Sequence, residues 1–152
     1  MTDERTETNT VWVNPDGTVT SDTSLEPIRV RKDDAWVPVD LDLEHLATGW
    51  APKASANPVV FSSGGDGPAA KLSDGTKRLW LNWTKTLPAP SVSGASATYA
   101  LDANTDLVLT AVSEGFEQAL GLKGRPAQGP RDPPSVGPDW VGSAGRRRRR
   151  RV

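Results

Sequence analysis

Trp36-Val37-Pro38-Val39-Asp40-Leu41-Asp42-Leu43-Glu44 places Val37, Val39, Leu41 and Leu43 at alternate positions, with Pro38, Asp40, Asp42 and Glu44 between them. Successive side chains of an extended chain point to opposite faces, so this stretch reads as a strand with one core face and one wet face. The same period continues on both sides of it. Upstream, Thr10 to Val13 and Thr18 to Thr20 flank Asn14-Pro15-Asp16-Gly17, a hairpin whose Gly17 supplies the positive φ of a tight turn. A second strand pair begins at Ile28 to Arg31, before the polar turn Lys32-Asp33-Asp34. Downstream, strands are expected at Pro58 to Phe61, Ala69 to Leu72, Lys77 to Trp83, Ala97 to Leu101, Asp106 to Val112 and Phe116 to Leu122. The loop Ser62 to Pro68 and the turn Ser73-Asp74-Gly75 are among their connections. Short strands separated by turn chemistry imply an all-β, antiparallel sandwich-like or meander fold. Helix competes at Leu41 to Thr48 and Val112 to Leu122, where Leu and Ala are good helix formers.

The chain has 152 residues, with 18 Lys plus Arg, 19 Asp plus Glu, one His and no Cys. One domain is the expected ceiling. The missing cysteines exclude disulfides, thiol nucleophiles and Cys-ligated zinc, and a single histidine excludes any site needing two. No apolar run reaches the roughly 18 to 20 residues that cross a bilayer. Met1 to Thr10 is polar and acidic, without the pattern of a signal peptide. Arg146 to Arg151 hold six of the 18 basic residues, leaving 12 against 19 acidic ones. The body is therefore acidic and the end basic. The expected organisation is a flexible leader over 1–9, a β-rich domain over 10–123 and a disordered tail over 124–152.

No catalytic constellation is evident, and no catalytic, cofactor-binding or metal-binding residue is assigned. His45 has no visible partner to orient its ring, as general acid-base work requires, and reads as a surface histidine. Asp40, Asp42 and Glu44 put three carboxylates on one strand face, but ligands spaced along a straight strand diverge rather than wrap a Ca²⁺ ion. Ser62-Ser63-Gly64-Gly65-Asp66-Gly67 lacks the lysine and spacing of a phosphate cradle. Six tryptophans are many for this length, and indoles exposed on a β face can stack on sugar rings. If Leu79, Leu81 and Trp83 face the core, Trp80 is the indole expected outside. Trp80 and Trp36 are the candidate ligand-stacking residues, while core packing is the better account of most of the five indoles before Lys123, Trp12, Trp36, Trp50, Trp80 and Trp83.

After Lys123 the composition changes. The last 29 residues contain eight Arg, five Gly, five Pro and two Ala, too little apolar surface to offset the ordering entropy of the backbone. Arg146, Arg147, Arg148, Arg149, Arg150 and Arg151 form a candidate polyanion-binding arm, without interleaved aromatics for base stacking. High-GC coding DNA read out of frame produces the same four residue types, and a plain solvated basic tail is the third reading.

Arg5-Thr6-Glu7-Thr8 leading into Asn14-Pro15-Asp16-Gly17-Thr18, then Asp34-Ala35-Trp36-Val37-Pro38-Val39-Asp40, then Gly49-Trp50-Ala51-Pro52-Lys53-Ala54 make a recognisable series. With Ala97-Thr98-Tyr99 and the run from Asp106-Leu107 to Gly115-Phe116-Glu117-Gln118, it resembles the amino-terminal β-rich module of large secreted bacterial proteins. Those proteins also carry RHS/YD repeats, LamG-like jelly rolls or DNRLRE segments, and some deliver toxins. The resemblance implies a secreted or cell-surface location and a non-enzymatic structural role, with the remainder of a larger protein as partner. The family's export signal is missing from Met1 onward, and its further strands are replaced after Lys123. A fragment with an unpaired sheet edge is the expected consequence. Glycan binding through exposed Trp and nucleic-acid binding through the arginines are the alternative functions, the second less favoured.

Overall fold

The computed structural model describes residues 5–74 and 76–124. Within them the fold is all-β and antiparallel. Two hairpins lead into two meanders. β1 (Asn9–Val13) pairs with β2 (Val19–Thr23), and β3 (Arg29–Lys32) with β4 (Ala35–Pro38). The first meander orders β5 (Asp40–Leu46), β6 (Gly49–Ala54), β7 (Val59–Phe61), β8 (Pro68–Asp74) and β9 (Lys77–Asn82) side by side. The second orders β10 (Ser91–Ser93), β11 (Ser96–Asp102), β12 (Thr105–Val112) and β13 (Gly115–Leu122).

Turn chemistry sets the hairpins. Gly17 has φ 83°, and the Asp16 carboxylate accepts both the Thr18 N–H and the Thr18 hydroxyl, which lowers the Asp16 pKa. Asp33 and Asp34 take φ 49° and 63°, the left-handed pair that a two-residue hairpin turn demands and that Asp tolerates better than most residues.

The core lies between the two meanders. Leu43, Val59, Phe61, Ala70 and Leu81 from the first face Ala97, Tyr99, Leu107, Leu109 and Ala111 from the second. Along β12 the burial alternates without a break, from buried Thr105 and Leu107 to half-buried Asp106 and Val108, so one face carries the core contacts. Phe61 meets Phe116 edge to face, with centroids 6.0 Å apart. The Tyr99 hydroxyl donates to the Ser62 carbonyl at 2.7 Å, joining the second meander to the loop after β7.

That bond gives a pH prediction. Burial raises the Tyr99 pKa above its ordinary value of 10.0, because a phenolate is poorly solvated inside the core. The unfolded chain therefore loses this proton first. The stabilisation is complete below about pH 10 and declines as pH rises beyond it. Tyr99 is the sole tyrosine, so absorbance at 295 nm reports it alone. Its ionisation is expected above the ordinary range, in step with the loss of near-UV circular dichroism. Ionisation near the ordinary value with the fold intact would contradict its burial.

Several expectations need correction. Trp36 to Glu44 is two strands, because Val39 donates its N–H to the Ile28 carbonyl while β5 starts at Asp40 in another sheet. Of the expected apolar face only Leu43 is buried; Val37, Val39 and Leu41 are half-buried, as are Asp40 and Glu44, and a register shift between Asp40 and Leu43 interrupts the alternation. Leu41 to Thr48 and Val112 to Leu122 contain no helix. They form β5 with the turn after it, and the end of β12 with β13. β6 and β10 escaped the pattern, since Gly49 and Pro52 interrupt the first and the second is a short Ser-Val-Ser. Pro52 is tolerated because β6 meets β7 at the single pair Trp50 and Phe61, leaving no ladder bond to lose there. The leader is tied down where it is described. Glu7 and Thr8 carbonyls accept the Ile28 and Ser24 N–H groups, and the Arg29 guanidinium reaches the Thr6 and Asn9 carbonyls and the Thr10 hydroxyl. The tail over 125–152, including Arg146 to Arg151, lies outside the described residues.

Candidate functional site

Two places collect unusual features: a polar cleft at one end of the first meander, and the outer edge of the second. The cleft, about 200 Å³, lies between the β5–β6 turn at Ala47 and Thr48 and the β7–β8 loop at Ser62 to Asp66, with Lys71 at its rim. Gly49 lets the two segments approach, and the loop is pinned to the connection between β9 and β10 by mutual Gly65 and Leu87 backbone bonds. His45 Nε2 and Ser63 Oγ stand 3.2 Å apart beside it, and the imidazole packs 4.7 Å from the Trp50 ring.

A serine with an imidazole in reach is the beginning of a nucleophile and its base. A working pair also needs a third group to orient the imidazole. No hydrogen bond to His45 Nδ1 is among those found for the described residues, and the ring is exposed. The geometry supplies a hydrogen bond that fastens the loop to β5. The 18-residue separation of His45 and Ser63 left no local signal of it in the sequence.

The carboxylates of β5 do not form a straight row. A bulge between Asp40 and Leu43 inserts one residue. Asp40 and Asp42 turn toward Lys53, whose Nζ lies 3.8 and 3.6 Å from their oxygens, while Glu44 stands opposite Ala51. The lysine ammonium takes the place between the two carboxylates where a cation would sit.

The indoles separate as well. Trp80 stands opposite Lys71 on the face of the first meander away from buried Leu81, and Trp83 packs against the core. Trp80 is thus outward-facing as expected, but half-buried rather than open. Trp36 is half-buried on β4, with the Arg31 guanidinium 5.8 Å from its ring centroid, so one indole face already has a cationic neighbour. The two belong to different sheets and form no common platform. Among the described residues the most exposed indole is Trp12, at 44%. Alternation placed it on a strand, but nothing local showed that its hairpin stands apart from the meanders.

The second place is β13, an eight-residue strand at the end of its sheet. Phe116, Gln118, Leu120 and Leu122 stand opposite Ala111, Leu109, Leu107 and Thr105, all four of which are buried. They therefore share the face that builds the core. Phe116 reaches it, yet Leu120 and Leu122 stay 38% and 52% exposed. Among the described residues no strand pairs with the outer side of β13, so these apolar side chains lie beside an open sheet edge. Comparison with protein-family models, with curated proteins and with solved structures finds no match.

Proposed function

We propose that this chain is a non-enzymatic interaction module that packs against other β structure through the outer edge of β13. The observation that supports this reading is the pairing of an open strand edge with exposed Leu120 and Leu122 on its core-forming face. Native proteins blunt long edges with charge, proline or bulges. β13 has none of these along Phe116 to Leu122 beyond the charge of Glu117. A surface that exposes both backbone groups and leucine is suited to strand addition, in which main-chain bonds give affinity and alternate side chains give selectivity.

The context we propose is a secreted or cell-surface scaffold of the RHS/YD, LamG-like or DNRLRE-containing kind, on the strength of the motif series from Arg5 to Gln118. In such a protein the module would be one packed unit among several, with its ligand role carried by surface rather than by a pocket. The expected test result separates this from glycan recognition. Titrating soluble glycans is expected to leave tryptophan emission unchanged. Saturable quenching that disappears in Trp80→Ala or Trp36→Ala would overturn the reading.

A further inference from the structure

We infer that β13 pairs with β13 of a second copy of this chain, joining two molecules through one continuous antiparallel sheet. The inference rests on the reading of β13 as a docking edge and names its partner. Lys123 N–H donates to the Asn104 carbonyl at 2.8 Å, one step beyond the Thr105 and Leu122 pair. Hydrogen-bonded and non-bonded pairs alternate along an antiparallel ladder. Residues 115, 117, 119, 121 and 123 therefore bond to β12, while Phe116, Gln118, Leu120 and Leu122 aim their N–H and C=O groups outward.

These outward residues are self-complementary. With a two-fold axis at Ala119, Phe116 stands opposite Leu122 of the second copy and Gln118 opposite Leu120 of the second copy. Each outward N–H then meets an outward carbonyl. The same four side chains occupy the core-forming face, so Leu120 and Leu122 of both molecules come under cover of a shared apolar surface. An isologous contact of this kind closes on itself and adds no further copies.

Charge excludes one neighbouring register and the aromatic ring decides against the other. Glu117 lies on the opposite face, where same-face diagonal neighbours across a strand pair still interact. In the Ala119-centred register its diagonal neighbour is Lys123 of the second copy, twice by symmetry. Lys123 Nζ now lies 2.9 Å from Asp106 and is about half exposed, leaving it able to serve both carboxylates. Moving the axis to Gln118 would instead set Glu117 diagonal to its own symmetry mate. Moving it to Leu120 would set Glu117 directly opposite Lys123 of the second copy but place Phe116 opposite Gly124, where no side chain covers the ring, so the Phe116 and Leu122 contact decides for Ala119.

Sedimentation of the full 152-residue chain over a wide concentration range tests this, with single-amide hydrogen exchange alongside. A monomer–dimer equilibrium is expected. Gln118→Pro removes an outward donor without taking a bond from β12 and is expected to abolish the dimer. Glu117→Lys, which sets lysine near lysine, is expected to weaken it about tenfold while leaving the melting temperature nearly unchanged, and serves if the proline variant fails to fold. A dimer indifferent to Glu117→Lys and Gln118→Pro would place the interface elsewhere and overturn the inference. A monomer at every concentration with fast exchange at Gln118 and Leu120 would also overturn it, while leaving the docking-edge reading intact. A monomer with both amides protected would mean that other residues of the chain cover the edge, and both readings would fail.

Discussion

Replacing Gly49 by alanine is expected to destabilise the domain by about 3 kcal/mol or more, which corresponds to roughly 10 °C in melting temperature. The reason is a close approach between β6 and β7. Gly49 has φ +137°, and a Cβ there would lie 2.2 Å from the Phe61 carbonyl oxygen and 3.0 Å from Val60 Cγ1. The oxygen is backbone held in the sheet and cannot turn aside as a side chain would. Relief requires separating the strands where they share their one register pair, Trp50 and Phe61. Gly17 is the control, with φ +83° and nothing within 4 Å of a built Cβ. Gly17→Ala meets only the backbone preference and is expected to cost about 1 kcal/mol. Equal melting temperatures for the two variants would contradict the packing of β6 on β7.

Phe61→Ala is expected to be as damaging, at about 3 to 5 kcal/mol. Its side chain is fully buried between the meanders, in contact with the Phe116 ring. Removing it leaves a void that rigid strands on both sides cannot close, so the lost transfer energy and the cavity add. A domain with a total stability of about 5 to 15 kcal/mol loses a large share of it. Trp12→Ala removes a larger aromatic from an exposed position on β1 and is expected to cost less than about 1 kcal/mol. Chemical denaturation checks both. A Phe61→Ala midpoint close to that of Trp12→Ala would mean that the meanders do not share a core.

Most of the fold was legible because period-two alternation is written where one sheet face is buried. Thr105 to Val112 shows it best: its apolar Leu107 and Leu109 are fully buried. Reading failed where strand identity depends on partners rather than on residues. Pro52 and Gly49 argue against a strand in isolation; Pro52 is acceptable in β6 because no register pair with β7 lies there, and Gly49 because the Phe61 carbonyl leaves no room for a Cβ. The run from Trp36 to Glu44 kept its alternation across a change of sheet, since a passing backbone bond at Val39 leaves no mark on side-chain pattern.

The candidate sites were less legible, for a related reason. Alternation sent Trp80 away from buried Leu81, yet fractional exposure depends on neighbours such as Lys71 on the preceding strand. Trp36 acquired its Arg31 neighbour through a hairpin register that hydropathy cannot show. At β13, alternation of Phe116, Gln118, Leu120 and Leu122 gave the face but not its cover. Whether a core-facing leucine is buried depends on how far the opposite layer extends.

Hydrogen exchange resolved to single amides, on the full chain at high dilution, tests the open edge most directly. Slow exchange is expected at Leu107, Leu109 and Ala111, whose N–H groups point into the ladder with β11, and fast exchange at Gln118 and Leu120, whose N–H groups point out of the sheet. Equal protection of Gln118, Leu120 and the β12 amides at that dilution would show that the edge is already covered, and would contradict the assignment of β13 as the docking surface.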